Sequence, residues 1–256
     1  MNNSGRVNEN INYLSRNFFK IFNNKESSYI KYSKINKLLT LIKNPFKENL
    51  YKFFFKYQKK DFSNLDYVFF PLHVQPELSV DVLSPILNNQ LEWIKILSKS
   101  IPYNFKLLVK PHSNFLSETD FRLLNECSSI DNVCLVHPEI DSHELISKSK
   151  IVFTISGTAA YEAFFMKIPA IVASDIYFNN LPNISRSKDI FSFPELIKNI
   201  LNHDYQKYDA LEEFNRLILP YLFCGNFADP FNFPNALNPE NIEKLSNSFE
   251  SLLRDD

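Results

Sequence analysis

From residue 61 onward, short apolar runs alternate with longer segments in which apolar residues recur every three or four positions. The runs are rich in Val, Ile, Leu and Phe, which is typical of strands that are buried on both faces. They predict five strands, at Tyr67–Phe70, Lys106–Val109, Val133–Val136, Ile151–Ile155 and Ala170–Ala173. The helical spacing predicts helices over 84–100, 118–127, 142–147, 158–165, 193–202, 207–219 and 240–253.

Strands that alternate with helices indicate a parallel sheet with right-handed crossovers. The predicted fold is therefore α/β, a doubly wound parallel sheet of about five strands with helical N- and C-terminal extensions. We expect three segments. Residues 1–60 form a basic helical leader, residues 61–205 form the α/β domain, and residues 206–256 form C-terminal helices that pack on it.

The net charge of the chain is −1, but the charge is distributed unevenly. Residues 1–60 contain 13 Lys and Arg against 3 Glu, whereas the rest of the chain carries a net charge of −11. This basic leader predicts an anionic partner. An amphipathic helix around residues 50–56 would either lie on a membrane surface or pack on the following domain, and both alternatives stay open.

The cysteines and the apolar segments bear on the cellular compartment. Three cysteines without CxxC spacing suit a reducing compartment and argue against a disulfide scaffold or a zinc site. The sequence shows no signal-peptide pattern and no apolar run long enough to span a membrane. We expect a cytoplasmic protein, with peripheral contact to the inner face of the cell membrane, or to a partner protein, as an option for residues 1–60.

Polar side chains cluster directly after the predicted strands, where open α/β sheets bind their ligands. The candidates are His73, Gln75 and Glu77 after the first strand, Lys110 and His112 after the second, Ser156, Gly157 and Thr158 after the fourth, and Glu162 one helical turn later. Four of the five histidines lie in or just after such loops. This concentration favours a binding site over a packing role.

The most specific of these loops is Ser156-Gly157-Thr158. Gly157 is one of only three glycines, which indicates a close approach of the backbone to a ligand. The two hydroxyls and the N–H groups at the following helix start would bind phosphate, and Glu162 would accept hydrogen bonds from ribose or sugar hydroxyls. In the alternative, the loop is only a tight turn in which Thr158 caps the helix and Glu162 faces solvent.

The other candidates each have a functional and an ordinary interpretation. Lys110 and His112 offer a cation and an imidazole to a phosphate or a sugar carboxylate, but both residue types are also common on surfaces. His73 and Gln75 are predicted to contact the sugar or ribose of a donor. Glu77 is a candidate for proton transfer in catalysis, and equally a solvated loop carboxylate.

Several functional classes lack their sequence patterns. There is no Walker loop, GxGxxG, HExxH or GxSxG, which disfavours ATPases, dinucleotide enzymes, zincins and α/β-hydrolases. No DxD pair follows a predicted strand, so we expect neither a metal nor a cofactor. The α/β part is acidic and lacks a basic and aromatic pattern, so we expect no nucleic-acid partner.

Three stretches of the chain resemble a known family in order and spacing. They read YVFFPLHVQPE, LLVKPH and NVCLVHPEIDSHELISKSKIVFTISGTAAYEAFFMKIPAIV. Together they resemble the capsule polysaccharide biosynthesis/export family, whose better-known members look like Kdo transferases. The resemblance covers about residues 65–178. Ser113 stands where the family pattern Lys-x-His-Pro has its proline.

The resemblance implies that residues 61–205 are the Rossmann-like, nucleotide-sugar-binding half of a GT-B-type glycosyltransferase. Such an enzyme would move a sugar from a nucleotide-activated donor, for example CMP-Kdo, to a glycan acceptor in capsular or surface polysaccharide synthesis. The nucleotide sugar is then a substrate rather than a cofactor. Residues 1–60 are too short for the second Rossmann-like domain of a GT-B enzyme. The alternatives are a non-catalytic sugar-nucleotide-binding or assembly module of a capsule complex, and a UDP-sugar 2-epimerase-like enzyme.

Overall fold

The computed structural model describes most of the chain beyond the leader. The described residues are 62, 64–75, 80–81, 88–112, 121–138, 140–187, 189–203, 208–222, 224–227 and 233–254. The predicted basic leader, residues 1–60, lies outside them, as do the candidate proton-transfer residue Glu77 and the family departure Ser113.

Six parallel strands form the central sheet. They are β1 (Tyr67–Pro71), β2 (Lys106–Lys110), β3 (Val133–Leu135), β4 (Ile151–Thr154), β5 (Ala170–Val172) and β6 (Ile184–Arg186). Across the sheet their order is β3-β2-β1-β4-β5-β6, so the chain returns to the middle of the sheet after β3. This is the strand order of a doubly wound, Rossmann-type sheet, and it confirms the predicted fold class.

Helices follow or connect the strands. They are α1 (Gln90–Ser100), α2 (Phe121–Ser128), α3 (Ser142–Lys148), α4 (Ala159–Phe165), α5 (Phe193–Asn202), α6 (Ala210–Leu217) and α7 (Pro239–Arg254). Helix α1 begins at Gln90, because the side chain of Asn89 accepts a hydrogen bond from the Glu92 N–H and caps the helix there. The predicted start at residue 84 lies outside the described residues.

The sequence pattern predicts five strands and misses β6. Of its three residues, Ile184 is buried and Arg186 is exposed. Such a segment lacks the apolar run that marks the other strands, because β6 pairs only with β5 at the edge of the sheet. Backbone pairing rather than burial of apolar side chains therefore defines it.

The core consists of two apolar layers, one on each face of the sheet. Successive side chains of a strand point to opposite faces, so Val68 and Phe70 of β1 join one layer while Tyr67 and Phe69 join the other. Helices α1 and α5 contribute to the first layer, and α3 and α4 to the second. Coverage on both faces explains why the central strands are apolar throughout.

The segments after α5 form two separate sets of contacts. Helix α6 packs on α4, with the rings of Phe214 and Tyr161 6.0 Å apart between centroids. Helix α7 contacts the preceding 224–227 segment, where Leu245 covers Gly225 and the rings of Phe249 and Phe227 lie 5.7 Å apart. The boundaries of the three predicted segments stay a prediction. No helix in the described part of the chain has the length and apolarity needed to cross a membrane.

Substitution of Phe153 tests the first layer of the core. Its fully buried ring lies 4.9 Å from Phe70, 5.1 Å from Trp93 and 5.6 Å from Phe193, between ring centroids. Phe153→Ala should lower the free energy of unfolding by about 3–5 kcal/mol, measured by urea denaturation. Phe191→Ala is the matched control, because Phe191 is 95% exposed and its loss should change little.

Candidate functional site

The loops that follow β1 and β4 diverge at the centre of the sheet, where the strand order reverses. Ligands of open α/β sheets bind at this reversal. A pocket of about 310 Å³ lies there. It is lined by six of the predicted site residues, His73, His112, Ser156, Gly157, Thr158 and Glu162. The fold therefore brings together predicted site residues that are far apart in the chain.

The loop after β1 is held in place by the side chain of Gln90, the first residue of α1. The Gln90 Oε1 accepts a hydrogen bond from the backbone N–H of His73 at 2.7 Å, and its Nε2 donates to the backbone carbonyl of His73 at 3.1 Å. Gln90 is buried, and hydrogen bonds away from water are strengthened by the low local dielectric. These bonds fix the position of His73 in the pocket wall.

The ring of His73 reaches across the pocket to β4. Its Nε2 lies 3.0 Å from Oγ1 of Thr154, and the same oxygen accepts a hydrogen bond from the Gly157 N–H at 2.9 Å. Burial, with a smaller contribution from nearby His112, lowers the pKa of His73 to about 4. The ring is therefore neutral at pH 7, and it offers hydrogen bonds rather than a positive charge.

The structure gives a physical reason for glycine at position 157 that differs from the sequence-based expectation. A Cβ on Gly157 would lie 2.7 Å from Oγ1 of Thr154 and 2.8 Å from Cε1 of His73. The groups that approach the Gly157 backbone so closely are thus parts of the protein. Because the Gly157 N–H donates to Thr154, it is already satisfied before any ligand binds.

Lys110 lies at the end of β2 and reaches the pocket through Ser142. The side chain of Lys110 is buried, and its Nζ donates a hydrogen bond to the Ser142 Oγ at 2.8 Å. Ser142 begins helix α3 and lines the pocket, whereas Lys110 itself lies behind it. Burial lowers the pKa of Lys110, and the carboxylates of Asp141 and Glu162 oppose this shift. A cation is therefore held one hydroxyl away from the pocket.

Thr158 and Glu162 form a pair at the start of α4. The Thr158 hydroxyl donates to the Glu162 Oε1 at 3.3 Å and makes no capping bond to the backbone. The Glu162 Oε2 lies 3.9 Å from Nδ1 of His143 on α3. Thr158 is the N-cap residue of α4, as in the alternative interpretation, but its hydroxyl bonds to Glu162 rather than to the backbone, and both residues line the pocket.

Gln75 is placed differently from the other candidates. Its Nε2 donates to Asp81 Oδ1 at 3.1 Å and to the Asn88 carbonyl at 3.0 Å, while its Oε1 accepts from Gln90 Nε2 at 2.8 Å. Gln75 is not among the residues that line the pocket. Within the described residues, its amide braces the β1 loop against the start of α1.

Two polar residues that line the pocket, Ser142 and Thr154, were not among the residues predicted from the sequence. Thr154 is a hydroxyl residue inside the apolar strand IVFTI, and this irregularity was a usable signal. Ser142 follows the predicted third strand by several residues, and only its contact with Lys110 reveals its place. No cluster of three or more potential metal ligands occurs among the residues that the structure describes.

No protein-family model and no curated protein sequence matches the chain. Among solved structures, it is similar to the beta Kdo 2,7 transferase KpsC of Thermosulfurimonas dismutans. The sequence identity is 16% and the TM-score 0.44, and the match covers 85% of this chain and 61% of that chain.

Two further solved structures are similar to the chain. The UDP-GlcNAc 2-epimerase of Methanocaldococcus jannaschii, in complex with UDP-GlcNAc and UDP, has 18% identity and a TM-score of 0.41, covering 72% of this chain and 52% of that chain. MnaA of S. aureus with UDP has 14% identity and a TM-score of 0.43, covering 62% and 44%. The chain thus spans between 44% and 61% of these three chains. At these identities and TM-scores the likenesses do not assign a function to it.

Gly157→Ala tests the close packing between the two loops. The added Cβ would press against His73 and Thr154, so we expect the free energy of unfolding to fall by about 1–3 kcal/mol, measured by urea denaturation. In a His73→Ala background one of the two groups that clash with the added Cβ is absent. Gly157→Ala should then lower the free energy of unfolding by less than it does in the wild type. An equal decrease in the free energy of unfolding in both backgrounds would contradict the close contact between Gly157 and His73.

The lowered pKa of His73 predicts a pH dependence of stability. Unfolded histidine titrates near pH 6.5 and folded His73 near 4, so in this interval the unfolded state binds the proton preferentially. The stability that the neutral His73 ring contributes is present above pH 6.5. It is lost as the pH falls toward 4, and the free energy of unfolding then falls by up to about 3 kcal/mol.

Urea denaturation from pH 7 to about 4 measures this effect. His73→Gln should flatten the pH dependence of the unfolding free energy in this interval, because the titrating ring is absent. His203→Gln is the control, because it removes an exposed histidine at the end of α5 and leaves His73 in place. Equal slopes for wild type and His73→Gln would contradict a buried, neutral His73.

Proposed function

We propose that the pocket between the β1 and β4 loops binds a nucleotide-activated sugar, and that the protein is the donor-binding part of a glycosyltransferase. The observation that carries this proposal is the presence, in one pocket, of hydroxyls backed by a buried cation and of a carboxylate paired with a hydroxyl. The first set suits phosphate, and the second suits the hydroxyls of ribose or sugar.

The donor phosphate would bind on the side of the pocket formed by Ser142, Ser156 and Thr158. Lys110 supports this site electrostatically, since its ammonium group lies 2.8 Å from the Ser142 oxygen. Charge–charge attraction is stronger in a buried environment than in water, so one cation behind a hydroxyl adds substantially to phosphate affinity. His112 is exposed at the pocket rim and adds a hydrogen-bond donor from β2.

Glu162 and His73 would address the ribose or the transferred sugar. A ribose hydroxyl can replace Thr158 as the donor to the Glu162 carboxylate, whose present bond of 3.3 Å is long. The neutral ring of His73 can hydrogen-bond a sugar hydroxyl without drawing the negative phosphate toward it. This division of roles separates the sugar end of the donor from its phosphate end.

In the proposed transfer, the bond between the anomeric carbon and the nucleotide phosphate oxygen breaks, and the anomeric carbon bonds to an acceptor hydroxyl oxygen. The leaving phosphate gains negative charge, which Lys110 and the surrounding hydroxyls stabilise. The acceptor proton must pass to a base. Glu77 is our candidate, and it lies outside the described residues.

The proposal of a particular donor and acceptor rests on the resemblance of the sequence to the capsule polysaccharide family. The order of YVFFPLHVQPE, LLVKPH and the SGT–Glu162 stretch supports CMP-Kdo as the donor and a capsular or surface polysaccharide as the acceptor. A non-catalytic binding module and an epimerase acting on UDP-sugars are the competing outcomes. Contact of residues 1–60 with a membrane surface or a partner protein is part of the same proposal.

Calorimetric titration with CMP, UDP and GDP tests donor binding. We expect one nucleotide to bind, and Lys110→Met to weaken its binding about 10-fold or more because the cation behind the Ser142 hydroxyl is removed. Thr158→Ala should weaken it less, and Lys150→Ala, an exposed lysine preceding β4, should bind as wild type. Circular dichroism checks that each variant is folded. Absence of binding, or unchanged binding in both pocket variants, would overturn the proposal.

Assays of turnover then separate the outcomes. Nucleotide release from CMP-Kdo that depends on a glycan acceptor indicates transfer. Conversion of a UDP-sugar to its epimer without any acceptor indicates an epimerase. Binding without either reaction, in the full chain, indicates the non-catalytic module.

A further inference from the structure

A second cavity, of about 400 Å³, opens beside the loop that follows β5. Its walls carry two tyrosines, Tyr177 and Tyr221, together with Asn180, Arg216 and Leu222. We call it the tyrosine groove. Because β5 is the neighbour of β4 in a parallel sheet, the loops after both strands emerge at the same edge. The groove therefore lies on the edge of the sheet that also carries the donor pocket.

One wall of the groove is a loop with a fixed backbone. The Asn179 Nδ2 donates to the Ser174 carbonyl and to Asp175 Oδ1, both at 3.1 Å. Phe178 is buried, and its ring packs edge to face on Tyr177 with centroids 4.9 Å apart. Tyr177 is nevertheless 67% exposed, so an anchored loop presents an aromatic ring to solvent.

The other wall follows helix α6. Ile218 is buried and fixes the chain there, while Tyr221 is 76% exposed. The guanidinium of Arg216 forms an ion pair with Glu213 on the same helix, so the groove wall has little net charge from this pair. Among the residues that the structure describes, Tyr177 and Tyr221 thus leave most of their ring surface exposed beside one cavity.

We propose that the tyrosine groove binds an uncharged sugar residue of the acceptor glycan. Tyrosine rings combine an apolar face, which suits the C–H face of a pyranose, with a hydroxyl that suits its polar rim. The Asn180 amide adds donors and an acceptor for sugar hydroxyls. The volume lies in the range of pockets that take small ligands.

The electrostatic character of the groove favours a neutral ligand over a nucleotide. The donor pocket has a buried lysine behind its hydroxyls, whereas Arg216 of the groove is already paired with Glu213. A phosphate bound in the groove would have to compete with that carboxylate. The assignment to an acceptor rests on the proposed glycosyl transfer, but sugar binding by the groove can be measured without any donor.

Saturation-transfer NMR and calorimetry with uncharged hexasaccharides of glucose, galactose and mannose test the proposal. We expect at least one to bind with millimolar affinity. Tyr177→Ala and Tyr221→Ala should each weaken binding about 3- to 10-fold, and Tyr177→Phe should retain it, because the ring face is kept. Tyr103→Ala is the control, since Tyr103 is 99% exposed in the turn before β2.

Each outcome bears on one proposal. Absence of binding by all three hexasaccharides, or binding that both alanine variants leave unchanged, overturns the sugar subsite. Weakened binding of CMP, UDP or GDP in the same variants overturns it as well, because the groove would then hold the nucleotide. Hexasaccharide binding that depends on both tyrosines, in a protein that binds no nucleotide, supports the groove and contradicts the donor pocket.

Discussion

The hydroxyl of Thr154 joins the two loops that form the pocket between β1 and β4. It lies 3.0 Å from Nε2 of His73, and it accepts a hydrogen bond from the Gly157 N–H at 2.9 Å. The placement of both loops depends on this contact. Gly157 must lack a side chain because His73 is drawn against it, and Gln90 must hold the His73 backbone so that the ring points toward β4. The pocket is therefore pre-shaped by hydrogen bonds within the protein.

Burial has different consequences for the charge of the two basic groups near this pocket, His73 and Lys110. Burial lowers the pKa of both His73 and Lys110, but nearby carboxylates oppose the shift only at Lys110. The result is a neutral imidazole on one side and an ammonium group bonded to Ser142 on the other. Since a buried charge is unfavourable unless it is compensated, the carboxylates of Asp141 and Glu162 help to stabilise the charged form of Lys110 in this position.

The fold was predictable from the sequence because its central strands are buried on both faces and are therefore continuous apolar runs. The edge strand β6 was not, because its pairing leaves two of its three residues at least partly exposed. At the site, six of the residues chosen because they follow strands line one pocket: His73, His112, Ser156, Gly157, Thr158 and Glu162. The packing reason for Gly157 and the bridging of Lys110 through Ser142 depend on contacts distant in sequence, which no local pattern reports.

The pairing of β1 with β4 has a consequence for how the molecule is assembled. His73 and Thr154 are separated by 81 positions in the chain, and they meet only when β4 has docked beside β1. The intervening segment contains β2 and β3, which extend the sheet on the opposite side of β1. Closing such a long stretch of chain is entropically costly and slow compared with local contacts. The pocket is therefore complete only after β4 has paired with β1, and its formation depends on a contact between distant parts of the chain.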